Sequence, residues 1–258
     1  KEAFELACRT IIKEYNEEHN LAKQEYLTSV ESKLNTAGFL CAIQLISGNA
    51  GFALSPVQET EGFPYIGHIK RRDIKTLKQV LETKLFGHNT PIEGLCVPIH
   101  RHIAEYLAAR FLAEHLTRTG LPVKRALSLI TGIDGAVVSE LRGLSAWLAA
   151  LCKVHRHEII DRDPLGAVLY GDIQGFTTQE KRWVLEGLQR EASRYTWFRS
   201  AHWASSPFGA LATPDMEDEF RNILSSPDRS DTHQSLVDCV LDAMKHGAEY
   251  PALGDLLV

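Results

Sequence analysis

The stretch "CVPIHRHIAEYLAARFLAEHL", Cys96–Leu116, decides how the rest of the chain is read. A short apolar run ends at Pro98, His100 follows, and then comes a helix so rich in Ala and Leu that little of it suits water. In helical projection Tyr106, Leu107, Ala108, Ala109, Phe111, Leu112 and Ala113 leave only narrow gaps for Glu105, Arg110 and Glu114. A helix apolar almost all round is buried on most sides. Its alanines let neighbours approach closely, as expected of a helix at a seam between two domains.

Working outward from this helix, the N-terminal side carries the only strand signals. "GFALSP" at 51–56 and "GLCVPI" at 94–99 are short, apolar and bounded by Gly or Pro, and are expected to pair as a two-stranded ribbon. Pro56 and Pro98 would confine both to edges, since Pro lacks the N–H that a ladder needs. Helices are expected at 2–19, 31–47, 73–86 and 101–117. Three helices with a small wing make a winged-helix-like module, a helix-turn-helix variant, placed at 1–120.

On the C-terminal side strand signal vanishes. Helices are expected at 122–131, 136–153, 155–161, 164–170, 178–194, 214–225, 231–246 and 249–257. Val137, Leu141, Leu144, Leu148 and Leu151 form one stripe beside Trp147. Asp163-Pro164 reads as an N-cap followed by Pro at the first helical position. Thr177 with Glu180 reads as a capping box, and Thr213-Pro214 repeats the Asp-Pro pattern. Stacked helix pairs would bury such stripes economically. The fold class is therefore mainly α: a winged-helix-like module, then an α-helical array of HEAT-like, solenoid type at 121–258.

The 258 residues suffice for two cores. No run approaches the length of a membrane span. The opening residue is not Met and falls within an amphipathic pattern, from which a longer parent protein is expected. Five cysteines at 8, 41, 96, 152 and 239 lie among apolar neighbours at wide spacing, the pattern of reduced, buried thiols in a cytoplasmic protein. Net charge is −5, unevenly spread. Residues 66–84 hold six bases against two acids, whereas 214–258 hold ten acids against three bases. Lys70, Arg71, Arg72, Lys75 and Lys78 therefore form a basic face that is read as solvated, or as a surface for an acidic protein partner or the chain's own acidic tail, or, less favoured, for nucleic acid. The aromatic cluster "YTWFRSAHW" at 195–203 is expected in the core. Cys152, His155 and His157 lack the further ligands that a metal requires. No Ser-His-Asp, Cys-His or paired-carboxylate arrangement stands out.

The segment "VPIHRHIAEYLAARFL", 97–112, resembles the end of the winged-helix domain in STAND NTPases, including the NACHT class. In that pattern an apolar strand is followed by a His and, five residues on, by an acid-aromatic-apolar-Ala-Ala run, here His100 and then Glu105, Tyr106, Leu107, Ala108 and Ala109. "RALSLITGIDGAVVSELRGLSAWLAAL" and "DRDPLGAVLYGDIQGFT" are similar to the helical segment after such winged helices in large bacterial members. The resemblance covers about residues 25–200. It implies that His100 contacts the phosphate of bound ADP and holds a nucleotide switch closed.

The departure from the family is equally plain. G-x-x-x-x-G-K-[ST] is missing, and with it the backbone cradle and Lys for phosphates; no Walker B strand is present either. This chain is thus expected not to be an enzyme and to hold no cofactor itself. ADP or ATP is expected in a nucleotide-binding domain upstream in the same protein. The expectation is a regulatory segment of a signalling ATPase, with roles such as bacterial antiviral defence. The alternatives are a winged-helix DNA-binding regulator with a helical effector domain, and a ligand-free helical scaffold.

Overall fold

The computed structural model describes residues 1–14, 29–70, 72–87, 94–200 and 204–256. The chain is mainly α-helical with one small sheet and divides into two compact units, Lys1–Ile130 and Thr131–Val258. The stretch 121–130, expected with the second domain, clusters with the first unit. Among the described residues no helix is long and apolar enough to cross a membrane.

The first unit contains α1 (Glu2–Ile11), α2 (Val30–Ser47), β1 (Phe52–Ala53), α3 (Ile74–Leu81), β2 (Phe86–Gly87), β3 (Leu95–Pro98), α4 (Arg101–Thr119) and α5 (Val123–Leu127). Short 3-10 turns fill the β1–α3 connection at Pro56–Gln58 and Ile66–His68. Helix α2 starts where the Ser29 hydroxyl accepts from Ser32 N (3.2 Å) and stops at Gly48, whose φ of 71° suits a residue without Cβ. Its partner is α4, and the two make the most extensive helix contact of this unit. They meet at Gly38, where an added Cβ would lie 2.5 Å from Leu107 O and 2.8 Å from Phe111 Cβ. Leu34, Ala37, Leu40 and Cys41 of α2 and Ala104, Leu107, Ala108 and Ala109 of α4 are buried. Each fully buried Leu contributes about 1.5–3 kcal/mol.

The sheet is antiparallel with strand order β1-β3-β2, in register Phe52↔Cys96 and Phe86↔Pro98. The expected two-stranded ribbon is thus a three-stranded sheet. Pro98 lies at the end of its central strand instead of on an edge. The reason is local. Beside β2 the ladder runs through Ile99 N to Leu85 O (2.9 Å), and beside β1 the pairing has already ended at Phe52. The outer side of β1 is covered by the segment after it, with Gly51 N donating to Gly62 O (3.2 Å) and Ala53 N to Pro64 O (3.0 Å). The helix expected over 73–86 ends five residues early, because Thr83 and Leu85 turn the chain so that Phe86 can pair with β3.

The second unit contains α6 (Arg142–Leu151), α7 (Arg156–Ile160), α8 (Pro164–Tyr170), α9 (Thr178–Arg194), α10 (Glu217–Leu224) and α11 (Asp231–His246). Helix α6 packs on α7 and α8, α9 on α7, α8 and α11, and the 3-10 turn Ser206–Leu211 on α11. The capping box forms as read: Glu180 N donates to Thr177 Oγ1 (3.3 Å) and Thr177 N to Glu180 Oε2 (2.8 Å). Asp163 caps α8 through Gly166 N (2.8 Å) and is clamped by Arg142 Nε and Nη2, both at 2.8 Å. Thr213 does not cap; it precedes only a 3-10 turn, Pro214–Met216. Val137 lies in a bridge with Thr131 and Leu141 ends a 3-10 turn, so the leucine stripe becomes α-helical only from Leu144. The final helix expected at 249–257 is a 3-10 turn, Pro251–Leu256.

Candidate functional site

His100 occupies the N-cap of α4, just past the end of β3. Its Nδ1 accepts from His102 N (3.2 Å), and its ring lies 5.1 Å from that of His102. An imidazole that accepts through Nδ1 carries its proton on Nε2, and among the described residues that N–H has no partner. The residue is exposed, and Ile99 beside it is 52% exposed. The end of β3 therefore presents an apolar side chain next to an N–H donor.

Directly beneath, Glu105 is buried (4% exposed), yet it accepts from Arg101 Nε (2.9 Å) and bonds to His102 Nδ1 (3.2 Å). Arg101 and His102 thus both bond to a buried carboxylate one turn on, with the Arg101 guanidinium as its counter-charge. Further along, the Tyr106 hydroxyl donates to Glu5 Oε2 (2.7 Å), Arg110 Nε lies 3.3 Å from the same oxygen, and Arg110 also pairs with Glu31. Arg9 closes the network on Glu5 and Glu31. The polar gap of α4 at Arg110 is filled by charges of α1 and α2, and the Arg110 bond, despite some burial, holds the Glu31 carboxyl below its ordinary range. Sequence spacing could not pair residues so far apart along the chain.

Lys70 and Lys75 are exposed, Lys78 is half-buried on α3, and Arg71 lies outside the described residues. Arg72 turns inward: its Nη2 donates to Asn35 Oδ1 (2.7 Å), and its guanidinium lies 5.2 Å from the Phe39 ring. It lines a cavity of about 500 Å³ with Phe111, His115 and Arg118, near the C-terminal end of α4 and so far from His100.

In the second unit two cations are buried that the sequence did not announce. Arg156 (3% exposed) donates to Ala149 O (2.7 Å) and Ala150 O (2.9 Å), pairs with Glu180 and covers the Phe176 ring at 4.3 Å. Lys181 (1% exposed) donates to Thr213 Oγ1, and its burial lowers its affinity for a proton although Asp215 opposes this. Trp197, expected in the core, is 69% exposed. It lines a groove of about 560 Å³ with Arg199, Asp231, Asp238 and Asp242, in which Arg199 already pairs with Asp242.

Nucleophilic chemistry finds no support in the thiols. All five cysteines are buried and outside any disulfide, and burial, with the Glu5 charge added for Cys8 and the Glu82 charge for Cys96, pushes both up to about 12. Among the described residues no group of three or more His, Cys, Asp or Glu side chains is placed to hold a metal ion. Set beside known protein families, curated proteins and solved structures, the chain matches none of them.

Proposed function

We propose that this chain is the winged-helix and following helical region of a STAND/NACHT-like signalling ATPase. In this reading His100 contacts a phosphate of ADP held by a nucleotide-binding domain elsewhere in the same protein. The observation that carries the reading is the exposed imidazole at the end of β3, with Nδ1 committed to the helix cap and Nε2–H open. A hydrogen bond from that N–H to an ionised phosphate oxygen is charge-assisted and stronger than a neutral one. Losing it on exchange to ATP would bias a two-state switch. The exposed Ile99 adds apolar surface to the same docking edge.

The element order α2, β1, α3, β2, β3, α4, with the strand order β1-β3-β2, supports the winged-helix assignment. Successive packing of α6 to α9 supports a helical array. The chain's own part is binding and gating, and hydrolysis belongs to the nucleotide domain.

The test is ADP retention by the full-length protein after desalting, with His100 intact and as His100→Ala. A charge-assisted bond contributes about 1.5–3 kcal/mol, so the variant should hold ADP at least about tenfold more weakly. Equal retention refutes the phosphate contact. His100→Asn is the control for lost capping, because Asn is a strong N-cap residue.

A further inference from the structure

The cavity near the C-terminal end of α4 contains a cation without a counter-charge. Arg72 is half-buried, and its partners are Asn35 Oδ1 (2.7 Å), Thr36 Oγ1 (3.5 Å) and the Phe39 ring. No carboxylate pairs with it among the described residues. Asp73, next in the chain, spends its carboxylate on Thr76 N (3.0 Å) and Thr76 Oγ1 (3.2 Å) as the cap of α3. Glu114, across the cavity, is held by Asn35 Nδ2 (3.2 Å) and Arg118 Nη1 (3.0 Å). The lining therefore bears two guanidinium groups against one carboxylate. A guanidinium partly withdrawn from water and given only neutral partners is under-compensated.

The rest of the cavity defines what would complete it. Phe39 and Phe111 meet edge to face at 5.5 Å, and His115 stacks on Phe111 at 5.9 Å, which gives an apolar wall beside the cation. The space is about 500 Å³, room for more than a single ion. Arg118 is 73% exposed on the rim; its i,i+4 pair with Glu114 is a surface contact of small worth and is easily exchanged. Lys70 and Lys75, close to Arg72 in the chain, are exposed.

We propose that this cavity is a docking site for an acidic peptide segment of a protein partner. One carboxylate of that segment pairs with Arg72, and a neighbouring apolar side chain covers Phe39 and Phe111. Arg72 retains unused N–H donors for a fork-on-carboxylate contact, and Arg118 supplies a second cation. Charge complementarity selects the partner; the recessed position selects peptide over nucleic acid. A phosphodiester backbone lies along a surface and is held by outward cations. Here the anchoring group is half-buried against the Phe39 ring, where a carboxylate on its own side chain reaches it. The site stands apart from the nucleotide reading of His100 at the opposite end of α4, and either can fail alone.

The experiment is fluorescence anisotropy on the whole chain with a labelled dodecapeptide of Asp and Glu carrying one central Phe. Its Asn/Gln isostere and a short unlabelled DNA duplex serve as competitors. The acidic peptide should bind at least about tenfold more tightly than the isostere, and Arg72→Gln should weaken it by about tenfold or more. Arg118→Glu, on an exposed position that leaves the fold intact, should weaken it by about threefold or more. Absence of binding, equal binding of the isostere, or wild-type affinity in both variants overturns the proposal, as does stronger competition from the duplex than from unlabelled acidic peptide. Should Arg72→Gln lose its far-UV circular dichroism, the isostere and Arg118→Glu arms decide.

Discussion

Replacing Arg156 by Met should be among the most damaging single changes in the second unit. The side chain is 3% exposed and joins three elements. It satisfies the Ala149 and Ala150 carbonyls in the last turn of α6, and it neutralises Glu180 in the first turn of α9. Met fills similar space but donates nothing, so two carbonyls lose their donors and a carboxylate only 15% exposed loses its cation. Breaking a buried pair from one side costs about 3–5 kcal/mol. With a slope of about 2 kcal/mol/M, the urea midpoint should fall by about 1.5–2.5 M. Tryptophan fluorescence reads this unit selectively, because Trp147, Trp183, Trp197 and Trp203 all lie in it. Arg156→Met with Glu180→Met should lose less than the sum of the single losses, since no unpaired charge remains. A single-variant shift under about 0.5 M, or strict additivity, would refute the keystone role.

The same pair has a pH signature. Burial opposes ionisation of Glu180, but the Thr177 N–H and Arg156 outweigh it and lower the folded-state pKa. The contribution is fully present above the ordinary Glu value and is lost as pH falls through the lower folded value.

Two further outcomes test the packing. Gly38→Ala should destabilise the first unit by about 1–2 kcal/mol, the clash with Leu107 O outweighing the helix preference of Ala, as followed by far-UV circular dichroism in denaturant; a gain in stability would show that α2 and α4 are not so close. Lys181→Met should leave stability at neutral pH within about 1 kcal/mol of wild type or raise it, because a buried cation with one hydroxyl partner contributes little net. Lys181 releases its proton more readily when folded, so stability should rise with pH from its folded value up to the ordinary lysine value. That rise should vanish in the variant, and its persistence would exclude Lys181 as the source.

What the sequence revealed was whatever local chemistry determines. The capping box at Thr177, the Asp163 cap and the burial of α4 over Ala104–Ala109 all follow from neighbours within a turn or two. Strand β2 was hidden because Leu81–Phe86 continues a helical period, and only pairing with β3 overrides it. Thr213-Pro214 had the pattern of a cap, but its hydroxyl is taken by Lys181 from α9. Charged residues were the hardest to place. Arg72 reads as one more surface cation, and Arg156 and Lys181 as helix decoration, until residues distant in sequence supply an aromatic face or a carboxylate. The exposure of His100 likewise depends on where β3 ends against Leu85, which no local pattern states.

The sheet of the first unit carries a consequence for recognition. Its outer strands contribute two residues apiece, and the free side of β1 is already taken by Gly62 and Pro64. On the β1 side an incoming extended chain would find these amides already bonded, so strand addition at that edge is closed to it. A molecule that approaches the unit from that edge must therefore read the shape and charge of its side chains.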